Sequence, residues 1–436
     1  MTLTNRTRLT VASFLILLGS TSLMAQESAI PLSLSLEEAQ NYAIEHNHAM
    51  KNASLDVQKA KAAEWETFSS MLPQVKAGFD YQNMCGYEMN LGAMSMPMNP
   101  TGTFALTASV ALTAQQIMGT VMNKIATQMS DISKKQTEQT TRSNVKNTYV
   151  SILVMEQTVG LLDSSLANMQ RLSNITNEGV KAGAVEQIDA DKLAVQVASL
   201  RNSINSTQRS LTLLYNSLIL QLGADVDAQL NLTSSLDDIL SVEKAVQLTN
   251  HALNLDNNYS YQLLEQNEKL TKDQLTLAWL AFTPTLSAYY QYNYKTYFGR
   301  DEAFNMTPPN MIGASISWPL FQSGTRMAGI RKAKISYQEN LNSKQQAEDG
   351  LKVQYRQMCS NLISALESYQ IQRENLDVTQ RVFSNTSEKY RYGRASSLEV
   401  TNASTDIISA QNSYIQAVMT VISSQIALED LLCEEE

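Results

Sequence analysis

Val75-Lys76-Ala77-Gly78-Phe79-Asp80-Tyr81-Gln82 places apolar side chains at odd positions and polar or small ones at even positions. Phe104 to Leu112, Leu286 to Lys295 and Ile312 to Trp318 alternate in the same way. A period of two gives a strand with one apolar face and one polar face. Each run is close to the roughly 9–11 residues with which a tilted strand crosses a bilayer. The tyrosines of the third run and Trp318 suit an interfacial aromatic girdle. A surface hairpin on a soluble domain has this pattern too, but two equivalent hairpins in an exported chain favour a membrane β-barrel.

Outward from the strands the chain reads as helix. Its eight prolines stand at 31, 73, 97, 100, 284, 308, 309 and 319, so none falls between 101 and 283 or after 319. Proline breaks helix interiors, and these two proline-free regions carry seven-residue apolar seams. One contains Val145, Tyr149, Ile152, Leu162, Leu166 and Met169; a second runs through Val197, Leu200, Ile204 and Leu211; a third through Ile407, Ala410, Tyr414 and Val421. Such seams mark coiled-coil packing. As one helix, residues 114–178 extend about 100 Å at ~1.5 Å per residue, too long for a compact globule. A helix is also expected from Ser35, where Glu38 completes a capping box, to about Met71, before Pro73.

The same plan occurs twice. Ser35-Leu36-Glu37-Glu38-Ala39 matches Ser241-Val242-Glu243-Lys244-Ala245, and Asn47 to Pro73 has the spacing of Asn258 to Pro284. Gly183 with Asp189 matches Gly393 with Glu399, and Leu222-Gly223 matches Leu432-Cys433, all at offsets of 206–211. The expected organisation is a signal peptide over 1–25, a first repeat over 26–240 with strands near 73–83 and 103–112, and a second over 241–436 with strands near 284–295 and 310–320. The signal peptide rests on Arg6 and Arg8, the apolar run Leu9 to Leu18 and the small residues before Gln26. No later stretch reads as a membrane-spanning helix.

Removing Arg6 and Arg8 takes the formal charge from −9 to −11, which argues against nucleic-acid binding. Cys85, Cys359 and Cys433 form neither a disulfide framework nor a zinc motif. His46, His48 and His251 are read as ordinary core or surface histidines, and no catalytic or cofactor-binding constellation is present. Met84, Cys85, Met89, Met94, Met96 and Met98 crowd one inter-strand segment. Thioethers favour soft ions such as Cu(I), but an adaptable exterior loop accounts for them as well. Four strands cannot enclose a lumen, and a four-stranded sheet has two open edges that are costly in lipid. Several chains must each contribute four.

Together these features resemble the TolC-like outer-membrane efflux proteins. The likeness rests on the duplicated plan, the Ser35 opening, Leu72-Pro73, Trp318-Pro319-Leu320-Phe321 with Gly324, and Tyr390, Gly393 and Leu398-Glu399-Val400. The resemblance implies a mainly α fold with a membrane β-barrel portion: a homotrimer with a twelve-stranded barrel and a trimeric α-barrel of long coiled-coil helices. It implies an exit duct in the outer membrane with a large periplasmic extension, no enzymatic activity and no cofactor. The implied partners are a periplasmic adaptor, an inner-membrane pump and outer-membrane lipid, in an efflux or type I secretion system. It places Asp189, Tyr390 and Glu399 near the tunnel constriction, with Arg394 beside them. As acids following a glycine by six residues, Asp189 and Glu399 also read as stabilisers of helix N-termini. His48, Leu112-Thr113-Ala114, Ala395 and Asn402 depart from the family pattern. The other classes weighed are an exported coiled-coil structural or adhesive protein and, within the duct class, a copper or silver efflux channel.

Overall fold

The computed structural model describes residues 32–92, 94–239, 241–298 and 307–433. The expected signal peptide lies outside them. The first set of elements is β1 (Leu32–Leu34), α1 (Leu36–His46), α2 (His48–Ser69), β2 (Gln74–Gln82), β3 (Glu88–Leu91), β4 (Met94–Pro97), β5 (Thr101–Leu112), α3 (Ala114–Lys181) and α4 (Gln187–Leu222). The second is β6 (Leu230–Leu232), α5 (Leu236–Ile239), α6 (Val242–Leu248), α7 (Tyr259–Leu280), β7 (Thr285–Tyr297), β8 (Asn310–Ser317), α8 (Thr325–Arg391) and α9 (Ser397–Leu432).

The two long helices, α3 with 68 residues and α8 with 67, each extend about 100 Å. The heptad seams are buried between helices. Val145, Tyr149 and Ile152 pack with α1, α4 and β1, while Leu162 and Met169 pack with Leu193, Leu200, Phe383 and Ile407. Helices of both halves thus share one core toward the far end of α3 and α8. Windows of α3 and α9 reach a mean hydropathy of 1.2, so two helices do meet a membrane-span test of length and composition, contrary to expectation. Val150, Val154 and Leu162 of α3 and Val418, Val421 and Ile426 of α9 are buried in the helix packing, which accounts for part of that hydropathy.

Four further readings change. The helix expected over 35–71 breaks at Asn47, whose Oδ1 accepts from Ala49 N at 2.7 Å and whose Nδ2 donates to Gln221 O at 2.6 Å. Asn258 does the same, capping α7 through Tyr261 N (3.2 Å) and donating to Leu431 O (3.1 Å). Each asparagine thereby ties a helix start to the end of a returning helix. In the second half the opening helix is split further, into α6, a 3-10 turn at Leu255–Asn257, and α7. The strand expected over 310–320 stops at Ser317, two residues before Pro319, which has no N–H to donate. The methionine-rich segment is a hairpin and not a plain loop: β3 pairs antiparallel with β4, Met89 opposite Met96.

A small buttress flanks the helices halfway along. β1 pairs parallel with β6, and the fully buried Tyr149 donates its hydroxyl to Leu34 O (3.0 Å) and accepts from Ser234 N (3.1 Å). Tyr149→Phe leaves both groups without that partner, and we expect a loss of about 1–3 kcal/mol. A lower thermal midpoint by circular dichroism checks this; a midpoint equal to that of the wild type overturns it.

Candidate functional site

The site has two parts, the sheet at one end of the long helices and the helix turns at the other. The sheet has the order β2-β5-β7-β8, every pair antiparallel. Directly paired residues share a face, so the register decides its chemistry. One row contains Ala77, Leu106 and Tyr292; the next on the same face contains Phe79, Phe104 and Tyr294. Val75, Ala108, Tyr290 and Ile312 form a third. The opposite face carries Lys76, Thr107, Gln291 and Met311 in one row and Asp80, Thr103 and Lys295 in another. One face is therefore largely apolar, with Asn310 closing the first row and Thr296 near its rim, and the other is mostly polar. The apolar face is bare: Ile312 is 84% exposed and Phe79 69%. On the polar face Tyr289 lies across Gly313, where an added Cβ would approach its ring to 2.7 Å.

At the far end the two helix turns share one geometry. Gly183 (φ +73°) and Gly393 (φ +70°) each occupy the left-handed region that glycine tolerates. Ala184 N donates to Gly179 O at 2.9 Å, and Arg394 N donates to Lys389 O at 2.8 Å. Both bonds satisfy carbonyls of the preceding helix end.

The expected gate residues separate into two roles. Asp189, in the first turn of α4, accepts from the buried Ser397 hydroxyl of α9 and pairs with Lys192 at 3.5 Å. Tyr390 of α8 meets Thr176 of α3, hydroxyl to hydroxyl, at 2.6 Å. Thr176 donates its proton to Leu172 O at 2.9 Å, so Tyr390 must be the donor to Thr176. Both contacts join one helix hairpin to the other within a single chain. Glu399 instead serves its own helix: Oε2 accepts from Ser396 N (2.7 Å) and Ser396 Oγ (3.0 Å), while Glu399 N donates to Ser396 Oγ at 3.2 Å. The Ser396 backbone bond, then its hydroxyl, holds the Glu399 carboxyl below the ordinary range. The ionised cap is thus present above that range and lost as pH falls through the lowered pKa. Arg394 is exposed.

Sequence reasoning missed Thr176 and Ser397. Thr176 had a signal, because it lies seven residues after Met169 in the seam and is a polar residue at a core position. Among the described residues no group of three or more His, Cys, Asp or Glu side chains could hold a metal ion, and all three cysteines are free.

Residues 250–434 match the family model described as outer membrane efflux protein. No curated protein sequence matches the chain. Among solved structures, one of CusC, described as concerning folding and transmembrane channel formation, is 17% identical with a TM-score of 0.75, covering 91% of either chain. The outer membrane protein VceC of Vibrio cholerae is 15% identical at a TM-score of 0.71, over 91% of this chain and 95% of that one. The open-state MtrE outer membrane channel of Neisseria gonorrhoeae is 15% identical at 0.74, over 91% and 88%. At these identities the structures establish the shared fold. Residues 250–434 thus resemble the outer membrane efflux proteins in sequence, and 91% of the chain shares the fold of outer-membrane channels.

Proposed function

We propose that this protein is the passive exit duct of a tripartite efflux or type I secretion system, assembled as a homotrimer in the outer membrane. The observation that carries the proposal is the four-stranded sheet with one bare apolar face, one polar face and two free edges, β2 and β8, mounted on helices about 100 Å long. A bilayer covers the apolar face, water fills the polar side, and neighbouring copies cover the edges, because unpaired backbone in lipid is costly. Since the strands alternate in direction and are even in number, β8 of one copy runs antiparallel to β2 of the next. Three copies give twelve strands. Exposed apolar residues at seven-residue spacing on α4 (Ile188 and Val195; Leu213 and Leu220) and on α8 (Ile371 and Val378) supply seams for packing between subunits. The family consists of channels and not enzymes, so a partner pump supplies the energy and a periplasmic adaptor joins the helix tips to it.

Mass measurement of the detergent-purified protein tests the assembly. Three subunits are expected, and a stable monomer with full β content overturns the proposal, leaving an exported coiled-coil structural protein as the better reading.

The β3–β4 hairpin lies at the end of the sheet remote from the helices, where a duct releases its cargo. A substrate filter is least useful there. Replacing Met94, Met96 and Met98 together by Leu is expected to leave export unchanged. A selective loss of copper or silver tolerance would instead assign the hairpin a metal-handling role.

A further inference from the structure

We propose that the first turns of α8 form a binding site for the phosphate groups of anionic phospholipids in the periplasmic leaflet of the outer membrane; this rests on the outer-membrane reading above. From 303 to 338 the sequence contains no Asp or Glu but holds Arg326, Arg331, Lys332 and Lys334, in a chain whose net charge is −9. The fold of the repeat does not require this basic run. At the corresponding start of α3 the first basic residue is Lys124, ten positions into the helix.

The segment before α8 fixes its height. Beyond β8 the chain forms a hook over residues 318–324, in which Leu320 is 78% exposed and Phe321 85%. The hook is nonetheless held in shape. Trp318 Nε1 donates to Phe282 O at 3.0 Å, Arg326 bonds Pro319 O and Gln322 Oε1, and the Arg326 guanidinium lies 5.1 Å from the Phe282 ring. Bare apolar side chains on a fixed hook, continuous with the apolar sheet face and led by an interfacial Trp, belong at the boundary between hydrocarbon and headgroups.

Arg331, Lys332 and Lys334 follow within about 14 Å of the start of α8, at ~1.5 Å per residue. All three are exposed and make no ion pair among the described residues; the first ion-paired residue along α8 is Lys344, with Glu265 and Glu268. Helical side chains lean toward the N-terminus, which on α8 is the membrane side. Their long stems therefore carry three cations back toward the plane of the headgroups. The first turn of α8 has no acid to answer them. A phosphodiester under the exposed hook meets both the charge and an apolar surface for its acyl chains.

Native mass spectrometry of the detergent-purified wild-type trimer, titrated with phosphatidylglycerol or phosphatidylcholine, tests this. Phosphatidylglycerol is expected to bind preferentially. The Arg331→Gln, Lys332→Gln, Lys334→Gln variant is expected to bind it at least tenfold more weakly, on a scale of roughly fivefold per basic residue near an anionic surface. The charge-preserving Arg331→Lys, Lys332→Arg, Lys334→Arg variant is expected to retain binding. Phe321→Ser should weaken the lipid, and millimolar inorganic phosphate should not displace it. No preference in the wild type overturns the proposal. So does full displacement by phosphate with Phe321→Ser inert, which marks a free-anion site. Dissociation of the Gln variant to monomers also overturns it, assigning the cations to a neighbouring subunit's carboxylates. A wild type that is not trimeric contradicts the outer-membrane assembly instead, so the two failures are distinct.

Discussion

Leu106→Arg is expected to abolish the proposed trimer and strip the protein from the membrane fraction, whereas Thr107→Arg, one residue on, is expected to preserve both. The two positions are adjacent in sequence and opposite in environment. Leu106 sits in mid-sheet between Ala77 and Tyr292, on the apolar face. Thr107 sits between Lys76 and Gln291, on the polar face. An arginine facing lipid near the bilayer midplane costs about 2–4 kcal/mol, and a homotrimer repeats that cost three times, or roughly 6–12 kcal/mol per barrel. That is comparable to the whole stability of an ordinary domain. An arginine facing a water-filled lumen keeps its hydration and costs little. Insertion of Leu106→Arg with exclusion of Thr107→Arg would reverse the two faces; equal tolerance of both would remove the sheet from the membrane.

That contrast was readable in the sequence because a strand repeats every two residues, so composition alone sorts its faces. The helices were readable for a similar reason, since proline is absent and the seams recur every seven. The break at Asn47 was not. No proline or glycine announces it, and it is enforced by a hydrogen bond to Gln221, 174 residues away. The split between α6 and α7 left a local trace in the cluster of Asn254, Asp256, Asn257 and Asn258, side chains that favour turns. At the tips, Gly183 and Gly393 fixed where the chain reverses. What sequence spacing could not separate was Asp189 from Glu399. Equivalent by repeat, they differ in partner: the serine before Leu398 reaches across to Asp189, and the serine before that one closes a box with Glu399.

The difference between the two acids gives the second large expected effect. Asp189→Ala combined with Tyr390→Phe removes both tip hydrogen bonds between the hairpins of one chain and is expected to raise single-channel conductance in planar bilayers many-fold. A hydrogen bond to a charged group contributes about 1.5–3 kcal/mol and a neutral one about 1, so a trimer loses on the order of 7–12 kcal/mol of closure. Each 1.4 kcal/mol shifts an equilibrium about tenfold, and a closed tip held by these contacts would become an open one by an iris-like shift of packed helices. An adaptor that binds the open arrangement better would exploit the same balance. Glu399→Ala is expected to act differently. It removes a helix cap and, in the proposed trimer, three carboxylates at the helix tips, and is expected to lower cation preference without the large rise in conductance. Asp189→Ala with Glu399→Ala should therefore show both changes, altered conductance and altered selectivity. If that pair conducts and selects like the wild type, the acids only stabilise their helices. If Glu399→Ala alone opens the channel as far as Asp189→Ala with Tyr390→Phe, the closure resides in α9 itself and not in the bonds between the hairpins.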